Sequence, residues 1–530
     1  MQGELVSKSI NHLGLVSAMF DQLGLVELID SLVKQDLDNR KISIGTSCKA
    51  LVLNGLGFSQ RTLYMVSSFF DDKPIEELLG KGIEASYLND TVLGRALDSI
   101  SEYGTTKLYT QLATQICSKL ELQPTLFHMD STTFHVDGDY DTSKDSILTL
   151  THGYSRDYRP DLKQVVLNMI VENQAGIPIH MQSCDGNTDD KSNFTQTVEN
   201  FIPELHKLYE TNYLIMDSAG YTNSTLQTCK NKWISRVPAT LKEVKNLVMG
   251  DLKELAPNYT YFSKQVTYAG VEQRWLIIHS QKSYEREVKS YEKRYKKHLE
   301  KEEKIIKKSC KEIFSCQNDA QKAIDKLNKS LKYSRLETIS FQNIPIKKKG
   351  RPSKEELLNP TFNYQIKGEI VPILSVYERE KSQKGVFILA TNELDEDKLS
   401  DCDILKNYKG QSKIERGFRF MKDPQFIASS LFVKKPSRID ALLFIMTLSL
   451  SVYASIEYKI RKVLASQNET ISNQVGKPTN KPSCRWVFHI FKGIHFLYGM
   501  EKTIILNMNK EQKRILALLG KQFEKYYIIE

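Results

Sequence analysis

The chain has 530 residues, of which 40% are hydrophobic and 26% charged, the balance of a soluble globular protein too long for one ordinary domain. Its eight cysteines are scattered, and the closest pair, Cys310 and Cys316, has no partner pair, so a zinc site and an oxidising compartment are both disfavoured. The net charge of +10 sits in one segment: residues 281–360 hold 22 Lys/Arg against 12 Asp/Glu, and the remainder is balanced. Such a segment suits a polyanion through counterion release, or is simply a solvated charged helix.

The opening MQGELVSKSI lacks the apolar stretch of a signal peptide. Residues 1–120 read as helical. LVSAMFDQLGLVELIDSLV is amphipathic, and SYLNDTVLGRALDSISEYG has an Asn or Asp cap before a periodic run. The pattern then turns to strand in residues 125–138, 163–172 and 176–184, an expected antiparallel meander. A helix including FTQTVENFIPELHKLY follows Gly186-Asn187-Thr188. Then come strand NYLIMD, the turn Ser218-Ala219-Gly220, a short helix and strand KWISRVP. Strands and helices in that order predict an α/β fold.

From about 240 to 395 the chain reads as an insertion. A β-hairpin, YTYFSKQVTYAG and VEQRWLIIHS, precedes two antiparallel helices with apolar spacings at Val288, Tyr291, Tyr295, Leu299 and at Ala320, Ile324, Leu327, Leu331. IKKKGRPSK is a basic Gly-Pro loop. YQIKGEIVPILSVYE and KGVFILATN read as strands. Ser400 then opens a helix with Asp403 in the place of a capping-box acid. ALLFIMTLSLSVYASI, residues 441–456, is shorter than the roughly 20 residues of a membrane span and carries four Ser/Thr, so a buried core helix and no membrane association are expected.

Three acids stand out. Asp130 lies inside the apolar strand FHMDSTT, and Asp217 ends the strand YLIMD. A charge there is costly unless paired or bound to a metal. Glu415 lies in YKGQSKIERGFRFMK, midway between Tyr408 and Lys422, each seven residues away. In one continuous helix the three drift only about 20° per step and share a face, with Gln411 and Arg419 beside them. Three convergent carboxylates repel, and a divalent cation relieves the conflict. All-oxygen ligands favour Mg2+ or Mn2+, and two such ions suit attack on a phosphodiester.

Other candidates are weaker. The loop HGYSRDYRPDLKQ crowds His152, Tyr154, Arg156, Asp157, Arg159 and Asp161 beside Asp130; it either touches DNA or the metal site, or is a salt-linked surface loop. His135 is at odd spacing from Asp130 and points to the other face. Trp233 and Trp275 could stack on an unpaired base, although a strand Trp is more often core; Trp275, in the hairpin, is the better candidate.

These residues resemble the DDE transposases of bacterial insertion sequences, in the large, insertion-bearing branch marked by Y-x2-R-x3-E-x6-K. Here that motif is Tyr408-x2-Gln411-x3-Glu415-x6-Lys422, with glutamine in place of arginine. HMDSTTFHVDG, HGYSRDYRPDLKQ, GNTDD, LIMDSAGY, EQRW, KALVLNGLGFSQRTLY and NDTVLGRALD extend the resemblance over most of the chain. It implies a ribonuclease-H-like catalytic core with a mixed α/β insertion and an N-terminal helical domain. Residues 1–120 would bind DNA ends, 121–240 and 396–460 form the core, 241–395 the insertion, and 461–530 a C-terminal helical region.

Asp130, Asp217 and Glu415 would be the catalytic acids holding two Mg2+ or Mn2+ ions. Tyr408, Gln411, Arg419 and Lys422 would meet DNA near the cut, joined by Trp275 and, in the basic loop, Lys347, Lys348, Lys349 and Arg351. The expected activity is cleavage at terminal inverted repeats and strand transfer to target DNA, by a homodimer formed on DNA in the bacterial cytoplasm. A hydrolytic nuclease on the same core, or a non-catalytic DNA-binding descendant, are the other readings; the presence of all three acids weighs against the latter.

Overall fold

A computed structural model describes residues 5–35, 41–58, 63–136, 138, 140, 147–203, 213–245, 251–346, 361–423, 433–499 and 502–528. The chain forms two compact units, one of residues 1–238, 266–274 and 390–530, the other of residues 239–265 and 275–389.

The first unit opens with strand β1 (Val6–Ser9) and a run of helices, the longer ones being α1 (Leu13–Gln22), α2 (Leu25–Leu32), α3 (Ile44–Leu56), α4 (Asp90–Tyr103) and α5 (Thr105–Lys119). Asn89 caps α4 by accepting from the Val92 amide at 3.0 Å. Its sheet contains β2 (Leu126–Val136), β3 (Lys163–Glu172), β4 (Pro178–Cys184), β5 (Tyr213–Met216) and β6 (Lys232–Arg236), in the order β4-β3-β2-β5-β6. β2, β3 and β4 pair antiparallel, as the meander predicted, whereas β2, β5 and β6 run parallel. β3 is buried along nearly its whole length, which is why VVLNMIV reads as an apolar run broken only by Asn168 rather than an alternating one. α6 (Asp190–Asn200), capped by Asp189, follows the meander.

The strongly apolar segment lies within helix α12 (Pro436–Ser466). By length and hydropathy it could cross a bilayer, but 89% of its most apolar window is buried inside the protein. Its hydroxyls turn back onto carbonyls one turn earlier, as Thr447 does to Leu443 and Ser449 to Ile445, each at 2.8 Å. Ser451 meets the Tyr109 hydroxyl of α5 at 2.6 Å. Buried Asp440 accepts from the Thr105 hydroxyl. The Ser/Thr content that argued against a membrane span is thus part of a packed interior.

Residues 461–530, expected to be helical, also contain short strands. β14 (Ile471–Ser472) pairs with β15 (Pro478–Thr479), and β16 (His495–Tyr498) lies between β1 and β17 (Ile504–Leu506). Backbone pairing between the two ends of the chain carries no signature in a four-residue strand, so periodicity could not report it.

β7 (Lys253–Ala256) pairs antiparallel with β8 (Tyr259–Tyr268), which precedes β9 (Val271–Ser280); residues 266–274 of this hairpin belong to the first unit and the rest to the second. Ala269 and Gly270, both at positive φ, make the two-residue turn of the expected hairpin. The helical pair is α7 (Gln281–Ser309) and α8 (Gln317–Ser330), and the short β10 (Ile313–Phe314) lies between them in sequence. Ile306, Ile324 and Leu327 of the pair pack on Leu336 and Ile366, from β11 (Ser334–Pro345) and β12 (Phe362–Pro372). β11 was not foreseen. Its residues alternate poorly because most of it is exposed. ILSVYE, read as strand, lies mostly in helix α9 (Leu374–Ser382). β13 (Val386–Thr391) matches KGVFILATN.

Candidate active site

Strand register brings the two aspartates together. Met129 of β2 is paired in parallel with Met216 of β5. Asp130 and Asp217 are each one residue further on, so they stand side by side on strands about 4.8 Å apart. Met216 is likewise paired with Ser235, which puts Arg236 next in the row. Asp217 is fixed by a turn: its Oδ1 accepts from the amides of Ala219 at 2.8 Å and Gly220 at 3.3 Å.

Glu415 arrives on a helix that runs along β2. The expected single helix is two, α10 (Asp401–Lys409) and α11 (Ser412–Met421), separated by Gly410 and Gln411. The junction stays helical in its dihedrals but tightens, the amides of Gln411, Lys413 and Ile414 donating to carbonyls three residues back. Ser400 caps α10 through the Asp403 amide, as expected.

At the junction Gly410 lies against the buried His128 ring of β2, and at the far end Lys422 Nζ lies 5.7 Å from the centroid of Phe134. Twelve helical residues span about 18 Å and six strand residues about 20 Å. Helix and strand therefore advance together, and Glu415 falls abreast of Asp130. His128, Asp130 and Phe134 share the even-numbered face of β2 that α11 covers.

The electrostatics agree. Asp130 is raised to about 7, first by burial, then by the charge of Asp217 and more weakly by that of Glu415, with Arg156 opposing. Tyr408 is raised chiefly by burial; its hydroxyl shares a hydrogen bond with Arg236, and it senses Asp217 and Glu415.

The loop between β2 and β3 reaches into this site. Arg156 Nη1 lies 3.7 Å from Asp130 Oδ1, while its Nη2 donates to Ser131 Oγ at 2.7 Å and its Nη1 to the Ser131 carbonyl. Lys422 Nζ donates to Asp157 Oδ2 at 2.7 Å, and His135 Nδ1 lies 3.7 Å from the same oxygen.

Several expectations change. Tyr408 is on the helix before that of Glu415, because the junction interrupts the shared face; it approaches through Arg236 instead. Gln411 is buried at 7% exposure, in the junction rather than on an open face beside Glu415. Arg419 is exposed on α11, one turn beyond Glu415. Trp275 is fully buried in the apolar run of β9, so it is a core side chain and offers no ring face to a base. Lys347, Lys348, Lys349 and Arg351 lie outside the described residues.

Arg236 was missed. Its only signal is a cation just beyond the core of a strand next to one that ends in an aspartate.

Among the described residues, no three His, Cys, Asp or Glu side chains close around one point as metal ligands would. The donor set still suits a hard divalent cation in chemistry: only carboxylate oxygens, one of them on Asp130, whose charged form is disfavoured first by desolvation and then by its acidic neighbours.

A family model described as a transposase DDE domain matches residues 121–452, well over half of the chain. The chain belongs to the DDE transposase family. A second model, described as a domain of unknown function (DUF4277), matches residues 5–114 of this transposase. No protein of curated function matches. Among solved structures, a cryo-EM piggyBac transposase synaptic complex with hairpin DNA is similar at 7% identity and a TM-score of 0.36, over 91% of this chain and 78% of that one. So distant a likeness bears on no residue of the transposase.

Proposed function

We propose that this transposase is of the insertion-sequence type, cutting DNA at the terminal inverted repeats of its element and joining the freed 3′-OH to target DNA. Asp130, Asp217 and Glu415 are the acids that hold divalent cations, two Mg2+ or Mn2+ ions. The observation that carries this reading is the register that sets Asp130 beside Asp217 while α11 brings Glu415 abreast. The order β4-β3-β2-β5-β6, three antiparallel strands followed by two parallel ones, supports a ribonuclease-H-like core.

Bound there, the cations would supply charge neutralisation and activation of the attacking oxygen. The residues of the chain do the positioning. Asp130 and Asp217 present carboxylates from the rigid sheet, and Glu415 from a helix pinned at both ends. Lys422 offers an ammonium to a DNA phosphate at one end of α11. Arg236 and the Tyr408 hydroxyl offer a second donor set beside Asp217, and exposed Arg419 extends the cationic face. Arg236 supplies the guanidinium that the Gln411 position lacks. Residues 1–120 would bind the DNA ends, and joining two ends calls for a homodimer formed on DNA.

The test uses a duplex of the terminal repeat with Mg2+. Asp130→Asn, Asp217→Asn and Glu415→Gln are each expected to abolish cleavage while duplex binding persists. Cleavage at the parental rate by any one of them removes that residue from the site.

A further inference from the structure

The β2–β3 loop places two adjacent residues of opposite charge on two groups of the proposed site. Arg156 faces Asp130 at 3.7 Å, and Asp157 accepts from Lys422 at 2.7 Å. A loop that merely solvated itself would pair internally, as Arg159 does with Asp161 at 2.8 Å in the same segment. Arg156 and Asp157 also reach out, to β2 and to the end of α11.

The loop is fastened on either side of the pair. Ser155 Oγ accepts from the Arg159 amide at 2.8 Å and meets His135 Nε2 at 2.9 Å, and Gln164 Nε2 donates to the Tyr154 carbonyl at 3.2 Å.

We infer that Arg156 and Asp157 are built-in occupants of the reaction site: the guanidinium stands in for a metal cation at Asp130, and the carboxylate stands in for a DNA phosphate on Lys422. Loading the site exchanges both pairs. The Lys422–Asp157 pair is partly exposed, at 26% and 43% for the two side chains, and such pairs are weak enough to be exchanged. When the pairs exchange, Arg156 keeps its bonds to Ser131. The arrangement holds Asp130 and Lys422 in place in the absence of substrate and makes other anions and cations compete with the loop. The inference rests on the reading that Asp130 binds metal and Lys422 binds phosphate.

The experiment uses the full chain and two binding readouts. Anisotropy of a fluorescein-labelled terminal-repeat duplex in EDTA measures the Lys422 side. Asp157→Asn should tighten binding by about two- to fivefold, the worth of one exposed ion pair. Asp157→Glu should stay near the parental affinity, and Lys422→Ala should erase the gain from Asp157→Asn. Free Mn2+ measured by electron paramagnetic resonance reads the Asp130 side: Arg156→Gln should bind Mn2+ more tightly by a similar factor, and Arg156→Lys should not.

Unchanged or weaker duplex binding by Asp157→Asn, or a gain that survives Lys422→Ala, overturns the Asp157 half. Unchanged or weaker Mn2+ binding by Arg156→Gln overturns the Arg156 half. The underlying reading fails separately, if Asp130→Asn binds Mn2+ as the parent does and Lys422→Ala alone leaves duplex affinity untouched.

Discussion

Gly410 and His128 meet so closely that a Cβ at residue 410 would lie 3.0 Å from both Cε1 and Nε2 of the ring. The ring is buried at 1% exposure, so it has little room to retreat. This contact sets the distance between the start of α11 and β2, and with it the approach of Glu415 to Asp130.

Gly410→Ala should therefore destabilise the first unit by about 1–2 kcal/mol, the usual cost of overpacking, and slow cleavage through Glu415. In a His128→Ala background the cost should shrink in part, because the ring is gone while the Asn407 carbonyl, 2.9 Å from the added methyl, remains. Urea unfolding of the four proteins of this cycle checks it, and strictly additive costs would disprove the contact.

Two other buried histidines, outside the acid site, predict acid sensitivity. Burial lowers His12 to about 4 and His180 to about 3. Their unfolded value is about 6.5, so the unfolded chain binds more protons between those limits. The stability they contribute is complete above about pH 6.5 and is lost as pH falls toward 4, on the order of 3 kcal/mol for each ring. The His180 and Phe201 ring centroids lie 3.7 Å apart, and among the described residues neither imidazole nitrogen has a hydrogen-bond partner. His180→Phe should keep stability at pH 7.5 and reduce the loss between pH 6.5 and 4; an unchanged pH slope in urea denaturation would refute this.

Glu302 organises the second unit. It reaches from α7 to accept from the amides of Lys332 at 2.9 Å and Tyr333 at 3.1 Å and from the Ser334 hydroxyl at 2.6 Å, gathering the start of β11. Glu302→Ala would leave buried donors unsatisfied, at a cost of about 2–4 kcal/mol. Limited proteolysis should then cut within residues 281–345 faster than in the parent, with the first unit resisting as before. Equal cleavage rates would count against the role.

Trp275 separates packing from base stacking. Its burial predicts that Trp275→Phe leaves duplex affinity and cleavage within about twofold of the parent, while Trp275→Ala costs about 3–5 kcal/mol in stability. A Trp275→Phe protein that is stable yet defective at one DNA step would restore the stacking role.

The sequence alone determined the local and chemical content of this protein. Period-two and buried runs marked β2 to β6, because side-chain alternation and burial on both faces leave direct traces in residue order. The three acids stood out because a carboxylate in an apolar strand is costly wherever it occurs, and the wider motif set pointed to the DDE family. Tertiary structure decided what depends on distance between remote residues. The Gly410–Gln411 junction was invisible because its dihedrals remain helical; only the pressure of His128 against Gly410 shows that the helix must hug β2 there. Gln411 looked like a surface partner of Glu415 until the junction buried it, and Trp275 like a stacking ring until β9 enclosed it. Arg236 and the Arg156–Asp157 pair gained their places from strand register and loop closure, which join residues tens to hundreds of positions apart. No local pattern encodes such meetings, since they follow from how the whole chain packs.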